Sequence, residues 1–382
     1  YLEKPVKKIL FEKIKLEINF NKENKNSLLL NGFYSFGNSN YNKFKIKNNL
    51  NIKDQNYLID LDFNENIFFK SINFKTNPNN TSNIKVEYNI KNKKFFFKSI
   101  NFSEDKNTIS IKGLLLNNKN EIKKISSIKV RTFNKSRENN NFLINFGKKI
   151  SIIGEKYDSS NLLQVFTGSR ESNLFKNFNK EIEVKIKFFI TKSEIPLKNF
   201  NLIGMIEKGK FNKISAKSEF SDNEYLDITL KKDLSNKRIL EIYSDAPQAL
   251  LSNYKFFEGI KGGKLLYNSV IDNTDSVSKL TIENFKVTKA PAFATLLTLA
   301  DLDGIADLLS GKGMSFDILE INLKDDSNVI IIEEILALGS SLSLHMRGYM
   351  EKKSGLVSLS GTLVPAKTLN NIVSKIPIVG NI

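Results

Sequence analysis

The chain has 382 residues with a net charge of +17, 40% apolar and 26% charged, which excludes a disordered chain and leaves room for two or three domains. It has no cysteine and one histidine, His345, which excludes a disulfide framework and thiolate metal sites and leaves little room for zinc or Ser-His-Asp chemistry. No uncharged apolar run reaches 18 residues and no signal-peptide pattern opens the chain. The first Met is Met205, so the sequence reads as a fragment or a processed chain.

The excess of Lys suggests an anionic partner, although Lys, Asn, Ile and Phe enriched together are also what an AT-rich codon bias delivers. The charge is uneven. From Ala290 onward there are seven basic and ten acidic residues, so the positive charge lies in the first three quarters of the chain.

From the start of the chain to about residue 289 the dominant signal is period-two alternation. "KIKLEINF" places Ile14, Leu16, Ile18 and Phe20 on one face, and "NIKVEYNI" does the same with Ile84, Val86, Tyr88 and Ile90. "EIEVKIKFFI" puts Ile182, Val184, Ile186, Phe188 and Ile190 opposite its Glu and Lys. With Asn, Gly, Asp and Ser clusters between such segments, the pattern predicts a mainly β protein, an antiparallel meander. Lys-Phe interleaving at Lys91–Phe102 could serve base stacking. A half-buried strand with Lys outside predicts the same letters. No RNA-binding signature accompanies it, and no nucleic acid partner is expected.

Helix signals are few. The first covers 247–254, with Asp245 as a candidate N-cap, Pro247 in the first turn and Leu250/Leu251 inward, followed by a turn at Gly262-Gly263. The second covers 291–310. It opens at Pro291, is interrupted near Gly304, and is closed by Gly311 and Gly313 before Phe316-Asp317. The third covers 366–376, between Pro365 and Pro377. Four strands between the second and third helices form a meander over 315–364. Leu342, Leu344, Met346, Gly348 and Met350 share one face there, and His345 lies on the other.

Candidate chemistry is sparse. Asp301, Asp303 and Asp307 resemble the head of a calcium loop, but Gly304 stands fourth and Leu308-Leu309 follow, so the EF-hand pattern fails. The same carboxylates disfavour a transmembrane reading of 291–310. No phosphate loop, nucleophile elbow or acid-base carboxylate pair is present. The chain reads as non-enzymatic, with no cofactor and no metal.

"SDAPQALLSNYKFFEGIKGGKLLY" at 244–267, "TIENFKVTKAPAFATLLTLADLDGIADLLSGKGMSFDILEI" at 281–321 and "GTLVPAKTLNNIVSKIPIVG" at 361–380 resemble the C-terminal region of the large AsmA-like proteins of the YhdP type, relatives of the TamB-type bridge-like lipid transfer proteins. Residues 1–243 resemble them only in general strand character. Gln248 departs from the family's usual Gly, and the chain stops before the family's closing segment. The resemblance implies a long, twisted antiparallel sheet curved into a groove, with a region 1–243 and a C-terminal region 244–382. It also implies a periplasmic protein held in the inner membrane of a Gram-negative cell by an N-terminal helix absent from this chain. Its partners would be glycerophospholipids and outer-membrane components. Acyl chains would lie on faces such as Ile182–Ile190 and Leu342, Leu344, Met346 and Met350. A closed barrel or sandwich satisfies the same alternation, and a structural or assembly factor of the envelope is the alternative function.

Overall fold

The computed structural model describes residues 8–20, 26–37, 41–50, 55–91, 94–117, 121–160, 179–190, 196–208, 210–221, 223–251, 257, 259–272, 275–288, 313–326 and 328–365. The protein is mainly β. Among the described residues, twenty-three strands are laid down as a mostly antiparallel meander, and a separate pair forms a small hairpin. The chain divides into two compact units, one of Tyr1–Ile190 with Ile203–Phe211 and one of Thr191–Leu202 with Asn212–Ile382. The boundary expected at 243/244 therefore lies inside the second unit.

The first unit contains β1 (Leu10–Asn19), β2 (Ser27–Ser35), β3 (Asn42–Asn49), β4 (Gln55–Phe63), β5 (Phe68–Phe69) and β6 (Phe74–Lys75). It continues with β7 (Ser82–Lys91), β8 (Lys94–Glu104), β9 (Asn107–Leu116), β10 (Ile122–Lys124), β11 (Ser127–Asn134), β12 (Arg137–Phe146), β13 (Ile150–Asp158) and β14 (Lys180–Ile190). Each strand from β1 to β4 pairs with the next, and β4 then pairs with β7. The ladder continues through β8, β9, β11, β12 and β13. The alternation predicts these hairpins because each strand buries one face. Two features depart from it. β13 and β14 run parallel, which needs a crossover of a dozen or more residues, and the link from 159 to 179 is long enough. The β5–β6 hairpin leaves the ladder altogether. It has a one-turn 3-10 segment, Lys70–Ile72, closed by left-handed Asn73 (φ 46°).

β15 (Leu197–Glu207) has residues in both units. The second unit continues with β16 (Lys210–Ser221), β17 (Glu224–Lys232), β18 (Arg238–Ser244), α1 (Pro247–Leu251), β19 (Ile260–Lys261) and β20 (Lys264–Asp272). Its last strands are β21 (Asp275–Val287), β22 (Met314–Asp325), β23 (Val329–Gly339), β24 (Leu342–Glu351) and β25 (Val357–Pro365). From β16 to β25 all the long strands pair antiparallel, and the four-strand meander expected over 315–364 is β22 to β25.

Cross-strand registration aligns the apolar faces of this unit into rows. Leu265, Ile282, Leu319, Ala337 and Leu344 form one row, and Leu280, Ile321, Ile335 and Met346 form the next. All of these are buried, Ile282 completely. Leu251 of α1 and Phe257 pack against them.

Asp245 is not the helix cap that the sequence suggests. Its carboxylate accepts hydrogen bonds from the Tyr243 hydroxyl at 2.5 Å and the Tyr225 backbone at 2.9 Å. The short side chain is spent on tying two neighbouring strands. That hydrogen bond is the main cause that pushes the Tyr243 phenol up to about 12. The helix is described only as far as Leu251, and the expected segments 291–310 and 366–376, with Pro291 and Gly311, lie outside the described residues.

The glycine signals are explained by close approach. Gly263 (φ +87°) would place a Cβ 2.6 Å from the Glu283 carbonyl, and Gly313 (φ +78°) would place one 2.5 Å from Thr288. Both conditions exclude a side chain. Gly262 (φ +66°) shares the turn. Phe316 is buried and stacks on Phe285 with centroids 5.3 Å apart, while Asp317 faces solvent. Pro365 ends β25 opposite Leu342.

Candidate functional site

The first unit differs from the second in how its apolar face is covered. Leu30, Ile46, Ile59, Val86, Ile100, Ile111, Ile128, Ile144, Ile152 and Val184 stand opposite one another in ten successive strands. All but Val184 are half-buried. At about 4.8 Å per strand this row runs roughly 43 Å across the sheet. At the β1 edge it continues into Leu16, which is 55% exposed.

Burial is graded from one side of the row to the other. Toward the ends of β4, β8 and β11, Phe44, Phe102, Val130 and Phe142 of the neighbouring row are buried and Leu61, Ile84 and Ile109 between them are half-buried. Toward the opposite strand ends, Tyr57, Tyr88 and Phe97 are only half-buried and Phe95 is exposed. Tyr57 and Tyr88 stack with centroids 4.9 Å apart and 8° between planes. The result is a groove with one closed lip and, over β4 to β8, one open lip; farther along that side Ile150 and Ile182 are buried.

The closed lip is the β5–β6 hairpin. Phe69 and Phe74 lie 5.5 and 5.9 Å from the Phe102 ring, and Ile72 and Phe74 are buried. Its far end is held by polar side chains of β11 to β13. The Asn140 amide donates to the Ile72 carbonyl at 2.7 Å and to the Thr132 hydroxyl at 2.8 Å. Asn73 and Asn139 donate to the Asp158 carboxylate at 3.0 and 3.2 Å, and the Asp158 backbone donates to Asn140 Oδ1 at 2.9 Å. The Tyr157 hydroxyl donates to the Ser71 carbonyl at 2.8 Å. Buried polar groups of this kind are tolerated because each finds a partner. An excursion from between β4 and β7 thus reaches β12 and β13, so the sheet of this unit curls.

The residues singled out in the sequence sit differently. Ile182, Val184 and Ile186 are buried, while Phe188 and Ile190 are half-buried. Leu342, Leu344 and Met346 are buried in the second unit's core, and Met350 is half-buried. The cavity beside Phe257, Phe285, Phe316 and Leu344 is about 40 Å³, little more than a water's share of space. Larger hollows of about 560 and 360 Å³ lie elsewhere in this unit, beside Val270 and Val277 and beside Ile331 and Tyr349. The half-open positions centred on Ile111 were alternating residues in the sequence. Their registration across ten strands is what a single sequence does not display. The β5–β6 hairpin was missed, since its strands of two residues are too short to show a period.

His345 is exposed, with Nε2 3.1 Å from Glu334 Oε1. Among the described residues, no group of three or more His, Asp or Glu side chains could hold a metal ion, and no helix is long and apolar enough to cross a membrane. No protein-family model, curated protein or solved structure matches the chain.

Proposed function

We propose that the first unit holds phospholipid acyl chains in its half-open groove and shields them from water during passage through the cell envelope. The observation that carries this is the aliphatic row from Leu30 to Val184, unbroken over ten strands and only half-buried along most of its length. A monomeric protein rarely leaves so long a contiguous apolar surface open without a use for it. The row's roughly 43 Å exceeds the ~15 Å depth of one leaflet's hydrocarbon, half of a ~30 Å core, so more than one chain can lie along it. Transfer by hydrophobic shielding needs no covalent step, so the protein acts as a conduit or chaperone and not as an enzyme. The likeness of 244–380 to AsmA-like proteins supports the same reading, with a periplasmic site, attachment to the inner membrane and outer-membrane components as partners.

A second reading, a structural or assembly factor of the envelope, is favoured by the second unit. Its apolar rows are filled by their own side chains. The two readings separate on co-purifying lipid. Organic extraction of the purified full chain should give at least one phospholipid per chain by mass spectrometry. Ile111→Glu with Ile128→Glu should reduce that to the level of a lipid-free control. An empty wild-type chain favours the structural reading.

A further inference from the structure

β1 is an edge of the first unit's sheet. Among the described residues it pairs with β2 alone, so the backbone groups along its other side are open to a further strand. Six apolar side chains on and beside it, Ile9, Phe11, Ile14, Leu16, Ile18 and Phe20, are 44–80% exposed. Among the described residues no other strand leaves so many uncovered. Edge strands are ordinarily blunted by proline or by uncompensated charge. Here the central charges cancel, because Lys15 and Glu17 pair with each other at 2.7 Å on the face opposite Leu16.

A second copy of the chain fits this edge in one register. With a two-fold axis through Leu16 and the strands antiparallel, Leu16 stands opposite its own copy and Ile14 opposite Ile18. Lys15 then stands opposite Glu17 on both sides of the axis. A shift of the axis to Lys15 or Glu17 sets like charges against each other, which destabilises a strand pair. A shift to Ile14 or Ile18 loses the Lys15–Glu17 match. An axis between two residues turns the apolar face of one copy against the charged face of the other. We propose that two copies of this chain associate through β1 in the Leu16 register, an isologous contact. The bulge between Glu12 and Lys15 stops the regular ladder near Ile14, so the contact is short and the dimer weak and concentration-dependent. Leu16 is also where the central apolar row reaches the β1 edge, and the pairing joins the rows of both copies into one surface. The proposal concerns the strand edge and stands whether or not the groove holds lipid.

Sedimentation velocity of the full chain from about 1 to 100 µM tests this. The wild type should pass from monomer to dimer across that range. Lys15→Glu and Glu17→Lys, both at exposed positions, should each weaken the dimer about tenfold, since both cross-pairs become repulsive. Mixing the two variants in equal amounts should restore it as a heterodimer, because each cross-pair is again of opposite charge. Lys15→Glu combined with Glu17→Lys in one chain should restore the homodimer. The chain has no cysteine, so Leu16→Cys should be trapped as a covalent dimer by mild oxidation. Ile153→Cys, exposed on another strand, should not. A monomer at every concentration means that something else covers this edge, and it overturns the proposal. A dimer indifferent to both single changes, or one that the mixture fails to rescue, overturns it as well, because the register is what the proposal asserts.

Discussion

The Asn140 side-chain amide donates to the main-chain carbonyl of Ile72 at 2.7 Å, across 68 residues of sequence. It joins the small hairpin to a strand otherwise remote from it, and both partners are buried. The same amide reaches Thr132, and its oxygen accepts from the Asp158 backbone. Replacing Asn140 with Ala strands all three groups away from water. The expected cost is about 2–4 kcal/mol in denaturant unfolding. Amide exchange should quicken at Ile67–Asn77 before it does in β7 or β9.

The two apolar faces should respond differently to truncation. Ile282→Ala removes a completely buried side chain from a filled core, and about 3–4 kcal/mol of stability should go with it. Ile111→Ala, on the half-open row, should cost about 1–2 kcal/mol because part of that surface is already wet. Equal losses in urea titrations would mean that the first unit's face is covered as fully as the second's.

Gly263→Ala combines a left-handed backbone with a Cβ 2.6 Å from the Glu283 carbonyl and 2.8 Å from Phe285 Cβ. A loss of about 2–3 kcal/mol is expected in thermal unfolding. Gly262→Ala has the same backbone sign but nothing within 4 Å, so it should cost about 1 kcal/mol. The difference isolates the steric part.

Hydrogen bonds from Lys149 and then Lys185 hold the Glu183 carboxyl down from its ordinary value of 4.5 to about 2. A depressed folded-state pKa means stabilisation present above pH 4.5 and lost as the pH falls toward 2. The wild type should therefore lose stability relative to Glu183→Gln across that window. At neutral pH the difference should be small, because these groups are exposed and screened. Paired urea titrations at pH 6, 4 and 2.5 check this.

The strands were legible because alternation is local. "NIKVEYNI" shows its inward residues without reference to any neighbour. Which inward face is filled was not legible, because Leu344 and Ile111 carry the same local pattern. The difference lies in their surroundings among the described residues: Leu344 belongs to a core that α1 and Phe257 pack against, whereas Ile111 stays half-buried. Asp245 shows the same limit for capping. An Asp before Pro247 reads as a cap, yet the Tyr243 hydroxyl and the Tyr225 amide take its oxygens. The parallel β13–β14 pair was hidden because register and direction depend on the link between strands and not on either strand's pattern.

The most direct measurement of the groove reading is site-specific photo-crosslinking in cells. Benzophenone side chains at Ile111 and Ile128, on the half-open row, should yield phospholipid adducts by mass spectrometry. The same group at Ser110 and Lys129, their neighbours on the opposite face of the sheet, should yield none. Adducts at all four positions, or at none, would contradict the assignment of the groove to acyl chains.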